Sequence, residues 1–150
     1  MHEERLVKAA EISVFAHATE DEEKVKQAVK RIAPYEHEYE SQRLSGHYDD
    51  PITLLTSKTV KRKEATDLLA NIVNKLSSID RQTLLDELSN HVDEKGNLYL
   101  RLDKQKAFNG RAVLQENDPI RIKVKFQLPH KADPVVTIKE YILNLEDDEG

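Results

Sequence analysis

The chain contains no cysteine. That excludes a disulfide framework, a thiolate metal site and a thiol nucleophile. Glycine is scarce as well: four in the whole chain, too few for the glycine-rich loop that cradles the phosphates of a nucleotide. No apolar run approaches the ~20 residues of a membrane-spanning helix. Met1-His2-Glu3-Glu4 lacks the basic start of a secretory signal, so a cytoplasmic protein with no membrane partner is expected. The six histidines show no HxH, HxxxH or HExxH spacing; neither a metal nor a cofactor is expected.

The sequence is rich in charge. Charged residues make up 34% of the 150 and hydrophobic ones 38%, the balance of a folded protein with a charged surface rather than a disordered one. We expect a single α+β domain over residues 1–145, followed by a flexible acidic tail at 146–150. The net charge of −5 argues against indiscriminate nucleic-acid binding, but its distribution is uneven. Residues 97–131 hold eight Lys or Arg against three acids and carry +5, leaving −10 on the other 115 residues. Such a segment is either a binding surface or the solvated side of Lys-rich strands.

The stretch Asn97 to Gly110, NLYLRLDKQKAFNG, organises the rest. Leu98, Leu100 and Leu102 alternate with Tyr99 and Arg101, the pattern of a half-buried strand. A charged knot at Asp103 to Lys106 and the turn Asn109-Gly110 then reverse the chain into an expected hairpin partner, Arg111 to Gln115. Ile120 to Leu128 is the plainest strand, with Arg121, Lys123 and Lys125 opposite Ile120, Ile122, Val124 and Phe126. Upstream, Leu6 to Ala18 forms a strand, and Thr19 with Glu22 forms a capping box for a helix that ends at Pro34. An edge strand is expected over Tyr35 to Leu44, a loop at Ser45 to Pro51 and a strand over Ile52 to Val60. Helical spacing marks Lys63 to Leu76, a shorter helix capped by Asp80, and a final helix entered through Asp133-Pro134. The strands and helices together give an α+β fold, a mainly antiparallel sheet with helices on one face.

Four groups of residues invite a chemical reading. His17 and His47, with Asp49 or Asp50, have the chemistry for acid–base or metal work, yet hydrogen-bonding histidines have the same composition. The helix start at Thr19 offers amide donors to a phosphate, against the negative charge of Glu20 to Glu23. Lys58, Lys61, Arg62 and Lys63 crowd a strand-to-helix junction. The basic corner is the best candidate: Arg101, Lys104, Lys106, Arg111, Arg121, Lys123 and Lys125 as phosphate contacts and Tyr99 as a stacking surface, with Tyr48 and Phe108 nearby in type. Along one strand face, alternate cations stand ~6.6–7 Å apart.

Three stretches, FAHATEDEEKV (Phe15 to Val25), SGHYDDPI (Ser45 to Ile52) and LYLRLDKQKAFNG (Leu98 to Gly110), resemble an archaeal family of predicted exosome-associated RNA-binding proteins. Asp49-Asp50 stands where that family tends to show Gly-Asn. The resemblance implies an α+β fold similar to the ribosomal 5S-rRNA-binding protein, and non-catalytic RNA binding as an accessory to RNA processing or degradation. Two other readings stand beside it: a protein-interaction or homodimerisation module whose open sheet docks on a larger complex, and a hydrolase using His17 and His47.

Overall fold

Strand periodicity decides the architecture. In the computed structural model, which describes residues 6–45 and 51–149, the strands are β1 (Val7–His17), β2 (Tyr39–Ser45), β3 (Pro51–Thr59), β4 (Asn97–Leu102) and β5 (Ile120–Phe126). The helices are α1 (Glu22–Ile32), α2 (Arg62–Lys75), α3 (Ser78–Asp86), α4 (Lys104–Phe108) and α5 (Pro134–Glu149). The five strands form one sheet in the order β2-β3-β1-β5-β4, and every neighbouring pair is antiparallel. Antiparallel sheets can bury one face and wet the other, and this one does. Ile12, Val14, Leu55, Leu98, Leu100, Ile122 and Val124 face a helical layer of α1, α2 and α5 and share its core with Val29, Ile32, Leu68, Leu69, Ile72 and Ile138. No helix of the described residues is long and apolar enough to cross a membrane. The expected α+β fold is the observed one.

Several local expectations need correcting. The chain turns once before α1, with Glu20 N–H donating to the His17 carbonyl at 2.9 Å. The cap is therefore Asp21, whose carboxylate accepts from Glu23 N–H at 3.0 Å, and the Thr19–Glu22 box does not form. Likewise Ser77 caps α3. Asp80 is spent elsewhere, accepting from Leu114 N–H at 3.1 Å.

The edge strand begins at Tyr39 and not at Tyr35. Ahead of it, the rings of Tyr35, His37 and Tyr39 pack in series, 4.4 and 5.7 Å between centroids. His37 is tied to the Ala33 carbonyl at 2.9 Å and to Ser57 Oγ at 2.6 Å, so the segment closes the end of α1 instead of extending the sheet. The charged knot after β4 is the short helix α4, capped by Asp103. Arg111 to Gln115 is not a continuous strand: Ala112 bridges Leu76, and the expected pairing with β4 is reduced to the antiparallel bridge Leu102↔Leu114, with Gln115 N–H donating to the Arg101 carbonyl at 3.0 Å. His47, Tyr48, Asp49 and Asp50 lie outside the described residues.

Candidate nucleic-acid interface

The strand order puts β1 beside β5, and β5 beside β4. On the wet face, Lys123 is flanked by Tyr99 of β4 and Glu11 of β1, while Arg121 is flanked by Arg101 and Ser13. Lys125 follows two residues further on. Together with Tyr99, these four cations occupy a single solvated surface. A shallow depression of about 290 Å³ lies among Glu11, Ser13, Tyr99, Arg101, Arg121 and Lys123.

Two features of this surface bear on anions. Arg101 and Arg121 are directly opposed across β4 and β5, and like charges so placed destabilise a sheet. Arg101 is partly neutralised by Glu116 at 2.8 Å. Arg121, Lys123 and Lys125 have neither a hydrogen bond nor an ion pair among the described residues. They turn instead to aromatic rings: the Arg121 guanidinium lies 5.4 Å from the centre of the Phe15 ring, and Lys123 Nζ lies 5.9 Å from that of Tyr99. Both distances are within cation–π range.

Tyr99 is held rigidly. Its hydroxyl donates to Asp93 Oδ2 at 2.9 Å, and Asp93 also accepts from the Asn97 and Lys95 amides and the Asn97 side chain at 2.9–3.0 Å. Partial desolvation pushes the Asp93 carboxyl up, but the hydrogen bonds from Asn97, Tyr99 and Lys95 outweigh it and hold the group at about 2. The same bond, with desolvation and the Asp93 charge behind it, raises the Tyr99 hydroxyl above its ordinary value. Its ring is thereby fixed while remaining 39% exposed.

The basic corner drawn from the sequence divides here. Arg101, Arg121, Lys123, Lys125 and Tyr99 come together. Lys104 does not join them: its side chain is only 10% exposed, and Nζ donates to the Phe15 carbonyl at 2.8 Å and to Glu20 at 3.0 Å and pairs with Asp118 at 2.9 Å. Lys106 belongs to α4, which packs on α1. Arg111 follows Gly110, whose carbonyl accepts from Lys75 of α2 at 3.1 Å; both cations belong to the helical side.

His17 pairs with Asp118, Nε2 at 3.1 Å from each carboxylate oxygen. His17, Glu20 and Asp118 have ligand atoms within 4.8 Å of one another, but the Lys104 ammonium supplies the positive charge between the two carboxylates. Desolvation raises the Asp118 pKa, and the hydrogen bonds from Lys104 and His17 more than reverse it. At the other basic cluster Lys63 pairs with Asp67 at 2.9 Å and Lys61 with Glu64 at 4.0 Å, while Arg62 donates to Gln127. Phe15 shares its side of β1 with Ser13 and His17, as alternation predicts, and Glu11, for which the sequence suggested no role, joins them on the wet face. Their alternation with Ile12, Val14 and Ala16 was the available signal, but only the pairing of β1 with β5 makes them neighbours of the cations.

An antiparallel sheet sheathed by helices on one side and studded with unpaired cations on the other defines an open-faced α+β domain with a local positive surface. Residues 9–126 match a family model described as RNA binding, and the chain belongs to that family. RNA-binding protein PAB1135 of Pyrococcus abyssi is 34% identical over 140 residues, covering 87% of this chain and 90% of its own. Among solved structures, protein SSO0741 of Sulfolobus solfataricus superposes with a TM-score of 0.74 at 28% identity, over 95% of this chain and 99% of that one. Mth689 of Methanothermobacter thermautotrophicus gives 0.72 at 28% identity, over 95% and 97%.

Proposed function

We propose that this protein binds RNA without catalysis through the β4–β5 half of its open sheet, as an accessory to RNA processing or degradation, with the exosome as the complex it serves. Arg101, Arg121, Lys123 and Lys125 contact phosphates and Tyr99 offers a stacking surface; Lys104, Lys106 and Arg111 are not assigned to the contact. The observation that carries this reading is the directly opposed pair Arg101 and Arg121 beside unpaired Lys123 and Lys125. An anion lying between the two guanidiniums relieves a repulsion built into the fold. Membership of a family described as RNA binding supports it, and the resemblance in the HATEDE and LRLDKQ stretches is the reason for naming the exosome. The kinship with the ribosomal 5S-rRNA-binding fold belongs to the same proposal.

The test replaces Arg121, Lys123 and Lys125 with Gln and measures RNA affinity at several salt concentrations. Each phosphate contact contributes ~0.7–0.9 to the slope of log affinity against log salt, so the slope should flatten by roughly 2. Net charge falls from −5 to −8, so a control triple at Lys24, Lys61 and Lys139 separates the site from bulk electrostatics. Equal losses from both triples overturn the site. They would favour a second reading that rests on β2, an edge strand paired among the described residues only with β3: an edge that docks another protein chain or a second copy. The accessory role is tested by adding the protein to a reconstituted exosome, where an unchanged degradation rate refutes it.

A further inference from the structure

We infer that the RNA taken by this face is single-stranded, that one base stacks on Tyr99 with its edge read by Glu11, and that a second base stacks on Phe15. This deepens the function proposed above and rests on it. An A-form duplex keeps its base faces stacked inside and offers protein little beyond backbone and 2′-hydroxyls. Exposed rings on a sheet serve a strand whose bases are splayed out. Tyr99 is such a ring, anchored through its hydroxyl to Asp93 at 2.9 Å. Phe15 is the second, half-buried on β1.

Through the register, Tyr99 lies level with Lys123 and Glu11, and Phe15 lies four residues further along β1. At ~3.4 Å per residue and ~4.8 Å per strand the two positions are roughly 17 Å apart, a span of a few extended nucleotides. Arg121, Arg101 and Lys123 stand between them. At present the Arg121 and Lys123 side chains lie over the two rings at 5.4 and 5.9 Å. Both are long and flexible, so each can leave its ring to a base and move to the neighbouring phosphate.

Glu11 is the feature that phosphate binding alone leaves unexplained. It borders the depression between Tyr99 and Ser13 and makes no hydrogen bond or ion pair among the described residues. A bare carboxylate repels phosphates, but it accepts hydrogen bonds from the amino groups on base edges. Cytosine N4, adenine N6 and guanine N2 are such donors, whereas uracil has no amino group and flanks its one N3–H donor with the acceptors O4 and O2, which a carboxylate repels. Glu11 therefore discriminates against uracil at the Tyr99 position.

The experiment measures binding of ten-nucleotide C and U single strands and of a blunt RNA hairpin stem at one fixed low salt concentration. The C strand should bind more tightly than both the U strand and the stem. Tyr99→Leu and Phe15→Leu should each weaken the single strand by about 5- to 100-fold while leaving the stem unchanged. Tyr99→Phe, which keeps the ring, should retain most of the affinity, and unchanged thermal melting shows that the variants are folded. Glu11→Gln, whose amide both donates and accepts, should bring the U strand level with the C strand. A stem bound as tightly as the C strand, or ring variants that bind like the parent, overturn the single-strand assignment. An unaltered preference for C over U in Glu11→Gln overturns the role of Glu11. If no RNA binds the unsubstituted protein, the parent proposal fails instead.

Discussion

Replacing Lys104 with Met separates structure from binding at the residue where the sequence alone confuses them. The lysine stem fills the same space as methionine, so packing is largely kept and the charge is what goes. Lost with it are hydrogen bonds to the Phe15 carbonyl at 2.8 Å and Glu20 at 3.0 Å and the pairing with Asp118 at 2.9 Å. Removing one member of a fully buried ion pair costs about 3–5 kcal/mol. Glu20 and Asp118 are 32% and 44% exposed, so water rehydrates them and the cost falls to about 2–3 kcal/mol. For a chain of this length that is a drop of about 4–12 °C in Tm.

The loss should depend on pH. Desolvation works against it, but the bonds from Lys104 and His17 hold the Asp118 pKa below its ordinary value. The stability this confers is complete above the ordinary value and is lost as pH falls through the depressed folded one. The gap between the variant and its parent should therefore narrow in acid. Thermal melting followed by circular dichroism, at neutral pH and at successively lower values, measures both effects. RNA affinity, measured in parallel, should be nearly unchanged. An unaltered Tm together with a loss of affinity equal to that of Lys123→Gln would refute the structural assignment and return Lys104 to the binding surface.

Two further outcomes are expected. Leu100 is 1% exposed on the inner face of β4, and Leu100→Ala should cost about 2–4 kcal/mol in urea unfolding; an unshifted midpoint would mean the strand is facing the wrong way. Asp93, held at about 2 against an ordinary 3.8, contributes stability that is full above 3.8 and drains away as pH falls toward 2. Asp93→Asn should abolish that acid dependence and loosen Tyr99, and a pH profile identical to the parent's between 4 and 2 would contradict the hydrogen-bond network.

What was legible in the sequence is what depends on periodicity. Leu98, Leu100 and Leu102, or Ile120, Ile122 and Val124, announce their facing by alternation alone, and each is buried as expected. The stripe Ala65, Leu68, Leu69, Ile72 and Val73 announces α2 in the same way. Caps were harder, because Thr19 and Asp21 are both competent caps and the choice between them rests on a turn closed by His17 and Glu20. The hairpin after Gly110 is cut down to one antiparallel bridge, Leu102↔Leu114, for a related reason. Turn chemistry was present, but Ala112 found its bridge on Leu76 at the end of α2, a contact distant in sequence. For the site, composition located the cations, but it placed Lys104 beside Arg101 when they point to different surroundings. One residue separates the end of a strand from the start of a helix, and side-chain direction changes period at that boundary.

The same alternation that builds the core also builds the surface, so the two are not independent designs. Every second residue of β5 must be apolar to bury that strand under the helices, and every residue between must tolerate water. Solubility alone would be served by mixed charge, with acids set across from bases as they are along the helices at Lys63–Asp67 and Lys26–Glu22. The wet face of β5 departs from that pattern. Arg meets Arg across the strands, and the acid nearest Lys123 across the sheet is Glu11, which forms no ion pair with it. A fold that leaves its opposite charges unpaired and its like charges opposed on one open face forgoes stability that neighbouring elements collect. An anionic ligand placed there would recover part of that stability, which is the physical reason for looking for RNA on this face.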